Sequence, residues 1–68
     1  MEFKLKTEFV ELDNVLKVLE LVASGAEAKQ QIQASLVKVN GAVESRIRRK
    51  VRSGDCVEFG DQKIDIIA

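Results

Sequence analysis

Hydrophobic and polar positions follow two different periods along this chain, and the change of period falls near Ser35. Before it, apolar residues recur at the spacing of an amphipathic helix, namely at Leu12, Val15, Leu16, Leu19 and Val22. Asp13 stands where an N-cap or first-turn carboxylate would favour the helix dipole. The pattern therefore predicts a first helix that begins near Leu12 and carries this five-residue stripe.

A second helix is predicted after a break at Ser24-Gly25. Ser24 and Glu27 have the spacing of a capping box, in which a hydroxyl and a carboxylate satisfy the free backbone N–H groups of the first turn. Ala28 and Ile32, four residues apart, form its apolar side. We expect this helix to cover about residues 25–34.

After Ser35 the apolar residues alternate with period two, which indicates strands. Val37-Lys38-Val39 alternates, Asn40-Gly41 is the preferred two-residue hairpin turn, and Ala42-Val43 begins the return strand. In this interpretation Val37, Val39 and Val43 point inward. The turn residues Ser53-Gly54-Asp55 and Gly60-Asp61 bound two further strands, over residues 56–59 and 63–67.

Phe3 and Leu5 also alternate, so a short first strand is expected to join the sheet. The elements then follow the order β-α-α-β-β-β-β. The predicted fold class is α+β, with two helices covering one face of a small, mostly antiparallel sheet. At 68 residues the chain is long enough for one domain, spanning residues 1–68.

The net charge of zero conceals a strong segregation of charge. Residues 1–28 carry three cations and six anions, residues 29–52 carry seven cations and one anion, and residues 53–68 carry one cation and four anions. The segments therefore have net charges of −3, +6 and −3. A basic block of this kind is the footprint that binding to a polyanion requires.

Five cations fall within residues 46–52. If this segment is extended, Arg46, Arg48, Lys50 and Arg52 share one face and Ile47 and Val51 point to the core, because strand side chains alternate. A guanidinium donates two parallel hydrogen bonds to a phosphate, so the face suits a nucleic-acid backbone. The alternative is a solvated edge strand whose cations prevent aggregation. The candidate contact residues are Lys29, Gln33, Lys38, Arg46, Arg48, Arg49, Lys50 and Arg52.

The residues for enzyme chemistry are nearly absent. The chain has no histidine and one cysteine, which excludes imidazole bases and the common structural zinc sites. Cys56 has Asp55 and Glu58 close by, an environment that raises a thiol pKa. We expect no catalysis, no metal, no cofactor and no small-molecule substrate. A lone cysteine, no apolar leader and no apolar stretch of roughly 18 residues favour a cytoplasmic protein without a membrane partner.

Three phenylalanines are the only aromatic residues, which is too few for a platform that stacks single-stranded bases. The two helices could imitate a DNA-reading helix-turn-helix, but Gly25-Ala26-Glu27-Ala28 offers little to a base edge. Recognition should therefore rest on the backbone and the shape of a folded nucleic acid.

Several short motifs occur in a fixed order: Leu12-Asp13, Ser24 with Ala28 and Ile32, Val37-Lys38-Val39-Asn40-Gly41, and Gly54-Asp55. In this order they resemble the RNA-binding domain family named after ribosomal protein S-four, with its αL motif, and the resemblance covers about residues 12–59. Residues 24–29 and 44–50 are most similar to the small stand-alone YbcJ-like bacterial branch. Two positions depart from the family: Gly25 stands where arginine is frequent, and Ser35 where glycine is common.

The resemblance implies a module that binds structured RNA, either ribosomal or transfer RNA. We expect the ribosome as a further partner and the chain to be a monomer. Two alternatives stay open from the residues. One is a protein-interaction module that docks an acidic partner on a ribosome or an RNA-processing enzyme. The other is a module that binds duplex DNA.

Overall fold

The computed structural model describes the whole chain, Met1–Ala68. Its elements confirm the α+β class and the two predicted helices. They are β1 (Glu2–Lys4), β2 (Val10–Glu11), α1 (Leu12–Val18), α2 (Gly25–Gln33), β3 (Val37–Val39), β4 (Ala42–Val43), β5 (Lys50–Val51), β6 (Cys56–Phe59) and β7 (Gln62–Ile67). Neither helix has the length and hydrophobicity of a membrane-spanning segment.

Two sheets are present. The larger has five strands in the order β1-β7-β6-β3-β4, and its only parallel pair is β1 with β7. The smaller sheet pairs β2 with β5 in antiparallel register, Val10 opposite Val51 and Glu11 opposite Lys50. Strand β2 was not expected from the sequence, because two residues are too short to establish an alternation.

One core joins the helices to the larger sheet. It contains twelve buried apolar residues: Leu12, Val15, Leu16, Val22, Ala28, Ile32, Val37, Val39, Val51, Val57, Ile64 and Ile66. In the strands these are alternate residues, so one face of the larger sheet packs on the helices and the other, outer face meets solvent. Val51 is fully buried, which anchors β5 to the same core.

Helix α1 is shorter than its apolar stripe. It ends at Val18, and Glu20 adopts a left-handed φ of 58°, which an α-helix cannot continue through. The prediction that Leu19 and Val22 belong to the helix is therefore wrong. Both residues lie after the last helical residue and still pack on the core. The apolar spacing therefore continues beyond the end of the helix because these positions are buried.

Helix α2 follows its sequence signals closely. The Ser24 hydroxyl oxygen accepts a hydrogen bond of 3.2 Å from the backbone N–H of Glu27, as expected for the cap. The reciprocal bond from the N–H of Ser24 to the Glu27 carboxylate does not form, so only the serine half of the predicted capping box is present. Ala28 and Ile32 are fully buried. The helix ends at Gln33, with Ala34 as its C-cap, and Ser35 then takes a left-handed φ of 63°.

The hairpin of β3 and β4 turns at Asn40-Gly41 as predicted, with φ values of 53° and 84°. The inward orientation of Val43 is wrong: the residue is 53% exposed. A two-residue turn sets Val39 opposite Ala42 and Lys38 opposite Val43, and paired residues share a face. Val43 therefore lies with Lys38 on the outer face of the sheet.

Candidate nucleic-acid interface

Residues 46–50, here called the basic loop, do not form the extended ridge that was predicted. The backbone turns at residues 46–49, where the N–H of Arg49 donates to the carbonyl of Arg46 at 3.3 Å, and only Lys50–Val51 is a strand. The prediction that Arg46, Arg48, Lys50 and Arg52 share one pleated face is therefore wrong. Ile47 is half-buried, in keeping with its expected inward direction.

The start of helix α1 holds the basic loop in place. The backbone N–H of Leu12 donates to the carbonyl of Arg49 at 2.9 Å, and that of Asp13 donates to the carbonyl of Ile47 at 3.1 Å. Helix N-termini leave such N–H groups without helical partners, and here no side chain caps them. The loop carbonyls supply the missing acceptors, so the loop and the helix start form one unit.

Glu44 organises the side chains of the basic loop. Its Oε2 accepts from the backbone N–H of Arg46 at 3.0 Å and from Nε of Arg46 at 3.1 Å, and its Oε1 accepts from Nη2 at 3.0 Å. Nη1 of Arg49 lies 3.3 Å from Oε1. These hydrogen bonds, chiefly from the Arg46 side chain, lower the pKa of Glu44 to about 2.

Glu44 is also tied to the sheet, because its N–H donates to the carbonyl of Val37 at 3.0 Å. The residue is only 8% exposed. From the sequence, Glu44 was identified only as the one anion of the basic block and was assigned no role. Its position was the available signal, because it is a single carboxylate two residues before Arg46 in a segment with seven cations.

The four cations of the loop surround one shallow depression, whose lining is Arg46, Arg48, Arg49 and Lys50 and nothing else. Their availability differs. Arg46 and Arg49 are engaged by Glu44, whereas the Arg48 side chain is 80% exposed and reaches Glu11 only at 3.5 Å. A concave surface lined by one sign of charge concentrates the electrostatic potential that attracts an anion.

Phe9 lies beside this surface. The Lys50 Nζ atom is 4.9 Å from the centre of the Phe9 ring, and Cζ of Arg52 is 5.7 Å from it. Both distances are within cation–π range. No local pattern connects Phe9 with these cations, because about 40 residues separate them along the chain. Only the pairing of β2 with β5 brings them together.

The remaining predicted contacts lie elsewhere. Lys29 and Gln33 are exposed on α2, one turn apart, and Lys29 forms no ion pair. Lys38 lies on the outer face of the larger sheet, in register with Glu58, which in turn pairs with Lys63. The structure thus brings the loop cations together, with Arg52 beside them at Phe9, and separates Lys38 from them.

A brace of side-chain hydrogen bonds joins the hairpin turn to the turn before β6. Nδ2 of Asn40 donates to Oδ1 of Asp55 at 2.9 Å, and the N–H of Cys56 donates to Oδ1 of Asn40 at 2.8 Å. The N–H of Arg52 donates to Oδ2 of Asp55 at 2.8 Å, and this bond contributes most to lowering the pKa of Asp55. The brace fixes the backbone from which Arg52 extends.

The turn interpretation of Asn40-Gly41 and Gly54-Asp55 is confirmed, and Gly54 has a φ of 95° that favours glycine. The expected direction for Cys56 is confirmed, but its cause is partly different. Burial first, then the charges of Asp65 and Glu58, raises the pKa of the thiol, and Asp55 does not contribute.

Comparison with known proteins identifies the class. The model of the S4 domain family matches residues 3–67, so the chain belongs to the S4 domain family. It is 41% identical over 63 residues to YbcJ of Escherichia coli K12, covering 93% of this chain and 90% of that one, and YbcJ of Shigella flexneri matches to the same extent.

A solved structure agrees with these matches. The solution structure of YbcJ from E. coli superposes with a TM-score of 0.75 at 41% identity, over 98% of this chain and 86% of that one. It was described as revealing an αL motif involved in RNA binding. The family resemblance drawn from the sequence motifs is therefore confirmed.

Proposed function

We propose that this chain is a non-catalytic RNA-binding module whose basic loop holds the backbone phosphates of a folded RNA. One observation carries the proposal: four cations, and no other residues, line a concave surface that backbone hydrogen bonds attach to α1. Membership of the S4 domain family and the αL motif described for YbcJ support RNA as the polyanion.

Within the loop the cations have different tasks. Arg48 and Lys50 are exposed and carry most of the contact. Arg48 is only loosely paired, and Lys50 stands opposite Glu11 without forming an ion pair and lies over the Phe9 ring. Arg46 directs Nε and one Nη2 donor at Glu44, so its other guanidinium donors are left for a phosphate. Arg52 extends the surface beyond Phe9, whereas Lys29 and Gln33 would add a second edge from α2.

The rest of the molecule disfavours a general coating by nucleic acid. On the outer face Lys38 and Lys63 both stand opposite Glu58, so this carboxylate offsets one of the two positive charges in the row. The segments before and after the basic block each have a net charge of −3. The contact is therefore local and oriented, which suits a structured ribosomal or transfer RNA, on or off the ribosome, bound by the monomer.

The test is a salt titration of binding to a fluorescein-labelled structured RNA, followed by anisotropy. Neutralising about four phosphates gives a log–log salt slope near −3, which lowers the affinity roughly 50- to 150-fold between 50 and 200 mM salt. Unlabelled duplex DNA of equal length should compete at least tenfold less well. No binding, or a flat response to salt, would favour a protein-interaction module instead, and equal competition would favour duplex DNA.

A further inference from the structure

A second surface depression lies next to the basic loop and is mainly apolar. It is formed by β1, β2, the segment between them and the end of α1, and its apolar lining is Phe3, Leu5, Phe9, Val10, Val18 and Leu19. Val18 is 64% exposed, because α1 stops there and nothing covers its last turn. The volume of about 390 Å³ lies near the lower end of the range for small-ligand pockets, about 300–1,000 Å³.

This apolar depression is continuous with the basic surface. Lys50 lines the basic depression and places its Nζ 4.9 Å from the Phe9 ring, and Phe9 lines the apolar one. Lys4 and Lys6, in β1 and just after it, also belong to the lining, together with one carboxylate, Glu2. Cations from two separate parts of the chain, the β1 segment and β5, therefore border the apolar floor.

We propose, on the basis of the RNA-binding function above, that the apolar depression receives one unpaired base of the bound RNA. The charge pattern favours this occupant, since a nucleotide combines a flat, weakly polar ring with phosphates on either side. The 5′ and 3′ phosphates would lie against Lys50 with Arg52 and against Lys4 with Lys6. Apolar protein segments complement the floor but leave these lysines without partners.

Phe9 supplies the stacking surface. Lys50 and Arg52 are exposed and reach the ring only through long flexible side chains, so either can move onto a phosphate when a base takes its place. One aromatic ring suffices for one base, although three phenylalanines are too few for a platform that binds a single strand. The expected gain from stacking one base is roughly 5- to 150-fold in affinity.

The experiment compares two RNA hairpins of equal length, one fully paired and one with a single 2-aminopurine bulge. Wild-type protein should bind the bulged hairpin at least fivefold more tightly and change the fluorescence of the 2-aminopurine. Phe9→Leu keeps an apolar side chain but removes the ring, so the ratio of its affinities for the bulged and the paired hairpin should fall close to one. The ratio is the readout because Lys50 and Arg52 lie over the same ring, and any effect on phosphate binding is common to both hairpins. Phe59→Leu, a half-buried phenylalanine outside the depression, is the matched control and should keep the preference.

A second variant guards against misfolding. Val18→Gln changes an exposed helical residue and should also reduce the preference for the bulge. Equal affinity of wild type for the two hairpins would overturn the base site and leave the proposed function standing, whereas failure to bind either hairpin would overturn both. A dimer in sedimentation that Val18→Gln converts to monomer would assign the depression to a second copy of the chain and also overturn the proposal.

Discussion

Substitution of Glu44 distinguishes two explanations of how the basic loop binds RNA, because they predict opposite changes in affinity. The change Glu44→Gln keeps the size of the side chain, removes its charge and turns one acceptor into a donor that faces the donors of Arg46. It also raises the net charge of the protein by one. If binding followed total charge alone, the variant would bind RNA more tightly.

The structure predicts the reverse, because Glu44 sets the turn of the loop and the direction of two guanidinium groups. Lowering its pKa from 4.5 to about 2 corresponds to at most about 3 kcal/mol of preference for the charged form. The Arg46 side chain is 75% exposed, so solvent screening reduces this to about 1–2 kcal/mol of stability. We expect Glu44→Gln to lose this amount and to bind RNA about 3- to 10-fold more weakly.

The pH dependence follows from the direction of the shift. A carboxylate whose folded pKa is depressed stabilises the fold fully above its ordinary pKa, near 4.5, and loses the contribution as pH falls toward 2. Urea unfolding followed by circular dichroism should therefore show a difference between wild type and Glu44→Gln at pH 7 that shrinks at pH 3. A difference independent of pH would refute the role of the ion pair.

The matched control for RNA binding is Asp61→Asn, which adds the same charge at an exposed turn between β6 and β7. Its affinity should equal or slightly exceed that of wild type. Tighter binding by Glu44→Gln and by the control to the same degree would show that the loop geometry is irrelevant.

Three further predictions concern other positions. A Cβ at Gly25 meets no atom within 4 Å, so the variant Gly25→Arg should fold normally. If α2 faces the RNA, the added cation should tighten binding and steepen the log–log salt slope by about 0.7–0.9, whereas an unchanged slope would show that α2 is not part of the interface. Ser35 has a φ of 63°, so Ser35→Gly should stabilise the protein by about 0.5–1 kcal/mol in thermal unfolding and Ser35→Val should destabilise it. Asp55→Asn should lower the free energy of unfolding by about 1 kcal/mol at pH 7. Because the pKa of Asp55 is lowered in the folded protein, the difference from wild type should shrink as pH falls below the ordinary carboxyl range, and a difference that stays constant with pH would contradict the role of the brace.

Elements with strong local signals were predictable from the sequence. The Ser24 cap defined the start of α2, and Asn40-Gly41 defined the hairpin, because each depends on neighbours within a few residues. The end of α1 was not predictable, since Glu20 carries no sign of its left-handed backbone and Val22 remains buried beyond the helix. Apolar spacing reports burial, which need not stop where a helix stops.

The candidate site divides in the same way. Charge segregation identified the basic segment, but the shape of the loop depends on contacts from distant parts of the chain. The carbonyls of Ile47 and Arg49 accept hydrogen bonds from the start of α1. The Arg46 side chain donates to Glu44 and therefore does not follow the alternation expected of a strand. Likewise, Phe9 meets Lys50 only through the pairing of β2 with β5. Such long-range pairings have no local signature.

The most direct test of the central claim is the affinity of the double variant Arg48→Glu/Lys50→Glu for a structured RNA at 100 mM salt. It reverses the two most available cations of the basic loop and leaves Arg46, which Glu44 needs as a partner, in place. The control Lys17→Glu/Lys63→Glu makes the same charge change at exposed positions outside the loop. The loop assignment predicts a loss of at least 50-fold for the first variant and less than fivefold for the second, with both folded by circular dichroism. Equal losses of affinity in the two double variants, or wild-type affinity of Arg48→Glu/Lys50→Glu, would contradict the loop assignment.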